Sequence, residues 1–170
     1  MSDLYLDIKT VASDNIQLLR ELSQLTQKLS QDAYSVNNES LQSGSVGAHV
    51  RHIIEHYISV LKNNVMVNYD DRQRNKELEL IPASARAELD RICCELELVT
   101  TDSPLQVMCS TISELDPPPA ASSLSRELSF LHSHTTHHMA IIRLLSLNLG
   151  ILVSPEFGKA ASTKKFEKNV

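Results

Sequence analysis

The chain has 170 residues, 42% of them hydrophobic and 22% charged, with a formal net charge of −5. That length suffices for one domain with a packed core, and the acidic balance argues against a nucleic-acid binder that works by neutralising phosphates. Tryptophan is absent and aromatic residues make up 4%, which leaves little for a base-stacking surface.

The Met1 end carries Asp3 and Asp7 and no apolar signal core, and no apolar run approaches a membrane span. A cytoplasmic chain with no membrane and no nucleic-acid partner is the expectation. Cys93, Cys94 and Cys109 are odd in number and form no Cys-x-x-Cys pair. They read as reduced thiols at ordinary positions.

In chain order, Asp3 to about Gln31 reads as a long amphipathic helix with Asp3 as its cap. Leu4, Ile8, Val11, Leu18, Leu22, Leu25 and Leu29 trace its 3.6 period. Asp32 to Gly44 is polar and reads as a loop. A second helix starts at Ser45, a good N-cap, and runs to about Asn68. Tyr69 to Ile81 is densely charged and reads as an exposed excursion. Pro82 suits the first turn of a third helix, which runs to about Thr100 with Ala85, Leu89, Ile92, Leu96 and Val99 as its buried stripe. Leu105 to Ile112 alternates weakly, as a short strand or an extended crossover does. Asp116-Pro117-Pro118-Pro119 cannot be helix interior. The fourth helix begins near Ser123 and ends at Gly150. The tail from about Ile151 to Val170 is expected to cross the helices in extended form and then fray. Four long amphipathic helices with one long crossover between the third and fourth describe an all-α four-helix bundle, in a single domain over residues 1–170.

The seven histidines occupy two short stretches. His49, His52 and His56 are spaced i, i+3, i+7 on the second helix. His132, His134, His137 and His138 lie on the fourth, with His134 and His138 about 40° apart on the wheel and near Phe130, Leu131, Ile141 and Leu145. On this reading the pair faces the core, and His132 points to the opposite, exposed side. Core imidazoles need partners. Either hydrogen bonds or a divalent metal can serve, because imidazoles at i and i+4 reach one ion from the same side. Two facing clusters favour the metal. Glu55, on the flank of His52 away from His56, is either an orienting group or base for the cluster or an ordinary exposed helix glutamate. No Glu-x-x-His occurs, so the di-iron carboxylate pattern is missing.

Three segments resemble the DinB/YfiT-like superfamily of metal-binding four-helix bundles. Ser45-Val46-Gly47-Ala48-His49-Val50-Arg51-His52 is similar to that family's Gly-x-x-x-x-His segment. His134-Thr135-Thr136-His137-His138 is similar to its His-x-x-His-His block, and Gly150-Ile151-Leu152-Val153-Ser154-Pro155-Glu156-Phe157-Gly158 to its tail after the last helix. Together they span nearly the whole chain in order and spacing. The resemblance implies a DinB-like four-helix bundle, a homodimer, and a divalent metal, nickel or zinc, held by His52, His134 and His138. His56 and then His49 are the alternatives to His52. The chain departs from the family after the last ligand, where better-known members carry Arg-Gly-Gln and this chain has Met139-Ala140-Ile141.

Three neutral imidazoles leave coordination positions open, as catalytic rather than closed structural sites do. Two functions follow from this. One is a metal-dependent enzyme, a transferase or hydrolase acting on a small molecule, with a low-molecular-weight thiol as the substrate the resemblance implies. The other is a metal-binding or stress-response module without chemistry of its own.

Overall fold

The structure is a computed structural model and describes residues 7–37, 43–62, 65–108 and 118–168. It is mostly helical, with a small three-stranded sheet. Four long helices carry the core: α1 (Ile8–Gln27), α3 (Val46–Leu61), α5 (Pro82–Glu97) and α6 (Leu124–Asn148). Both α1 and α3 pack against α5 and against α6, so the four close a ring around one apolar interior. Short helices α2 (Gln31–Ser35), α4 (Lys76–Leu80) and α7 (Ala161–Glu167) lie in the connections and the tail.

The local reasons are visible in the residues. Asp7 caps α1 by accepting from the Lys9 backbone N–H at 3.3 Å. The apolar period then buries Ile8, Val11, Leu18, Leu19, Leu22 and Leu25. Asp3 lies outside the described residues. Ser45 and Ser123 cap α3 and α6 as their sequences predict, and Gly150 follows α6 at φ +76°. Pro82 occupies the first turn of α5, whose buried stripe is Ala85, Leu89, Ile92, Cys93 and Leu96. Burial pushes the Cys93 thiol up to about 11, which leaves it inert as a nucleophile. Cys109 is outside the described residues.

Several expected boundaries move. The second helix stops at Leu61 instead of Asn68, because β1 (Met66–Asn68) is drawn into the sheet. It runs parallel to β2 (Pro104–Met108), which runs antiparallel to β3 (Ala120–Ser123). Val67, Leu105 and Val107 are the buried residues of this sheet. The alternating Leu105-Gln106-Val107 pattern is its sequence signature; Met66-Val67-Asn68 is too short to show one. Residues 109–112, with Asp116 and Pro117, lie outside the described residues.

The charged segment 69–81 is mostly exposed, as expected, but it is anchored to the fold. Tyr69 and Leu78 are buried, and α4 lies against α3. Its charges explain why. Glu55 of α3, itself buried, accepts from the Asn75 backbone N–H at 2.7 Å and faces the Arg72 guanidinium at 3.9 Å. Arg51 of α3 pairs with Glu79 at 3.2 Å. The tail also differs from expectation: Phe157 is buried, and the basic end forms α7. Gly158, at φ +70°, crosses so near α6 that a Cβ would stand 2.3 Å from the Ala140 nitrogen. No helix of the described residues is long and apolar enough to cross a membrane.

At Gly47, α3 lies directly against the backbone of α4. A Cβ there would lie 2.0 Å from the Glu79 carbonyl oxygen and 2.7 Å from the Tyr34 ring, and Tyr34 is pinned by its hydroxyl donating to the Leu78 carbonyl at 2.6 Å. In a free helix, Gly→Ala gains about 1 kcal/mol. Here the backbone carbonyl must move, and overpacking of this kind costs about 1–3 kcal/mol. Gly47→Ala should therefore be net destabilising in urea unfolding, and a raised midpoint would contradict the close approach.

Candidate metal centre

Helix α3 brings its core side, Val50, Ile53, Ile54 and Tyr57, into the interior. His49, His52 and His56 lie on the adjoining flank, along the seam with α6. On α6 the core stripe runs through Leu131, Thr135, Met139 and Ile142. This stripe lies about 90° from His134 on the wheel. His134 and His138 are thus at the edge of the core, half-buried, and not at its centre as expected. The wheel misleads here because Thr135 is a core residue: its hydroxyl donates to the Tyr57 hydroxyl at 3.3 Å, and a threonine in a polar run carries little apolar signal.

The seam gathers five imidazoles. His52 Nε2 and His134 Nε2 are 3.0 Å apart, and His49 Nδ1 and His138 Nδ1 are 2.9 Å apart. The His52 ring centroid lies 4.2 Å from that of His56, 4.5 Å from that of His138 and 5.1 Å from that of His134. His52, His134 and His138, the set implied by resemblance, are therefore neighbours. The three residues whose donor atoms all lie within 4.8 Å of one another, among the described residues, are His52, His56 and His134. His137 is exposed. His132 is half-buried, not exposed, in a shallow groove beside Val11, Asp14 and Asn15 of α1. It faces away from the other imidazoles because it sits about 160° round the helix from His134.

The donor set fits a divalent ion. Two nitrogens bonded to one ion at about 2.0–2.1 Å, with bond angles of about 90–110°, stand about 2.8–3.4 Å apart. The His52–His134 separation of 3.0 Å falls in that interval. A metal ligand must offer a lone pair, and the rings are held in that form. Loss of hydration is the largest cause of a lowered pKa at each of the five, followed at His52 by the neighbouring imidazoles and Arg72. His52 is lowered to about 2, His138 to about 3 and His56 to about 4. His56 has its tautomer fixed as well. Its Nδ1–H donates to the His52 carbonyl at 2.7 Å, so Nε2 is left with its lone pair.

The walls of the site include residues that the histidine pattern does not reveal. Tyr69 stacks on His56 with ring centroids 5.3 Å apart, and Phe130 stacks on His134 at 5.5 Å. The Tyr69 hydroxyl donates to Glu127 at 2.6 Å. Glu127 is fully buried and also accepts from Ser122 of β3 and from Arg126. A tyrosine just after a short strand carries no sequence signal for this role; Glu127, in the first turn of a capped helix, reads as a dipole partner. Glu55, weighed above as an orienting group or an exposed residue, is buried, and its carboxylate meets the Asn75 backbone N–H and the Arg72 guanidinium rather than an imidazole.

Comparison with known proteins adds one similarity. The chain is 34% identical over 103 residues to FK506-binding protein 5 of Rhizopus delemar, a match covering 58% of this chain and 26% of that protein. The chain thus spans about a quarter of the length of the curated relative it matches. No protein-family model matches the chain, and no solved structure matches it.

The lowered imidazole pKa values make stability depend on pH. Unfolded, each histidine takes up its proton near the ordinary imidazole value of 6.5; folded, it resists protonation until well below it. The unfolded chain then binds more protons, so stability is full above that value and is lost as the pH falls through the window beneath it. The melting temperature of the metal-free protein should fall steadily from about pH 7 to about pH 5, and less steeply in His52→Asn. A flat profile would contradict the neutral cluster.

Proposed function

We propose that the protein binds one divalent metal ion, zinc or nickel, in the seam between α3 and α6, as a DinB-like four-helix bundle. The observation that carries this reading is the convergence of imidazoles from two helices, with His52 Nε2 and His134 Nε2 at 3.0 Å. These two residues belong to both candidate sets. His56 completes the set with the tightest donor spacing, and His138 the set implied by resemblance. The ring of contacts among α1, α3, α5 and α6 supports the bundle, and the sheet is an elaboration within its connections.

We further propose that the bound ion serves a reaction on a small molecule, a low-molecular-weight thiol in the first instance. With three protein nitrogens the ion keeps open positions, where it would lower the pKa of a coordinated water or thiol. The chain's own residues would shape the approach. Tyr69 and Phe130 wall the imidazoles with aromatic faces, and the Tyr69 hydroxyl is oriented by the buried Glu127. One observation favours the second reading, a metal-binding module without chemistry. The carboxylates Glu55 and Glu127 are both engaged in holding the fold, which leaves neither as a ready base.

Untagged protein exposed to zinc or nickel should retain one ion per chain by elemental analysis. His134→Ala, which removes a nitrogen common to both sets, should lose it, while His132→Ala should not. Equal metal content in all three proteins would refute the site. Thiol turnover by the loaded protein would select the enzyme; retention of metal without turnover of a panel of thiols would select the module.

A further inference from the structure

We propose that His49 is a positioning residue, outside the ligand set, that fixes the tautomer of His138 and so presents His138 Nε2 to the ion. The inference rests on the metal-binding reading and deepens it.

The observations form a chain of hydrogen bonds. His49 Nε2 stands 2.7 Å from the Ser43 carbonyl oxygen. A carbonyl only accepts, so His49 carries its proton on Nε2. In the neutral ring Nδ1 is then a lone pair. That lone pair faces His138 Nδ1 at 2.9 Å. Two lone pairs at that distance repel, so His138 must donate from Nδ1, which leaves its Nε2 unprotonated. Nε2 lies on the side of the ring away from His49, and the His52 and His134 ring centroids are 4.5 and 4.6 Å from that of His138. A solution histidine has no such bias imposed on it. The relay also accounts for a histidine one turn before His52 that belongs to neither three-residue donor set. Its place at the first turn of α3, beside the capping Ser45, lets Nε2 reach back to the Ser43 carbonyl. His56 uses the same device with the His52 carbonyl, so two of the flanking imidazoles are oriented through backbone oxygens. Outer-sphere partners of this kind set ligand orientation and typically change metal affinity 10–100-fold when removed.

The test has two readouts. Long-range ¹H–¹⁵N spectra of the metal-free, ¹⁵N-labelled protein at mildly alkaline pH report the tautomer of each neutral ring. His138 should show a protonated Nδ1 in the wild type and lose that preference in His49→Leu. In His49→Asn the amide oxygen stands near the position of Nδ1 and should restore it. Zinc affinity, measured by competition with a chromophoric chelator, should fall about 10–100-fold in His49→Leu and recover in His49→Asn, with one ion per chain throughout. A protonated Nε2 on His138 in the wild type, or unchanged zinc affinity in His49→Leu, overturns this inference alone. Complete loss of zinc from both His49 variants makes His49 a ligand and also overturns it. A wild type that takes up no zinc overturns the metal-binding reading together with it. Should His49→Leu fail to fold, the wild-type spectrum and His49→Asn decide.

Discussion

Two imidazole nitrogens 3.0 Å apart, His52 Nε2 and His134 Nε2, cannot both carry protons. One must offer a lone pair to the other, or both must offer lone pairs to something between them. The same holds for His49 and His138 at 2.9 Å. Charging the cluster would place like charges in contact in a half-desolvated seam, where their repulsion is much stronger than in water. The approach of α3 to α6 therefore requires neutral rings, and a divalent ion is the partner that uses several such lone pairs at once.

The rest of the molecule keeps that seam closed. Behind the imidazoles, Asn15 of α1 donates to the carbonyls of Val11 and Leu128, at 2.8 and 3.1 Å, and accepts from the Tyr57 hydroxyl. Thr135 adds a bond to Tyr57. This buried network joins α1, α3 and α6 with its polar groups paired, which is the condition under which a polar core specifies one arrangement. On the flank of α3 beside His52, Glu55, Arg72 and Asn75 hold the 69–81 segment down. That segment delivers Tyr69 to the face of His56. On α6, Glu127 ties Tyr69 and Ser122 to the start of the helix, so the small sheet and the imidazoles share one support.

Much of this frame was legible in the chain. The four long helices follow from apolar periods and from Ser45, Pro82 and Ser123 at their starts. The histidines could be placed on two helices by counting. The exposure of segment 69–81 was legible but its anchoring was not, because charge density reads as solvation and does not reveal that Arg72 and Glu79 pair with Glu55 and Arg51. The strand Met66–Asn68 is set by pairing with residues about forty positions away, information no local window holds. The core edge on α6 was misjudged because Thr135 and Thr136 are buried there as hydrogen-bonded polar residues. Which imidazoles could share an ion depends on ring rotations fixed by the backbone carbonyls of Ser43 and His52, and such contacts leave no trace in spacing.

The most direct measurement is X-ray absorption at the zinc or nickel edge of the loaded protein, with an anomalous difference map from crystals of the same preparation. The expected result is a shell of three or four imidazole nitrogens at about 2.0–2.1 Å, with the anomalous peak between His52 and His134. A sulfur-dominated shell, or a peak on the protein surface away from α3 and α6, would contradict it.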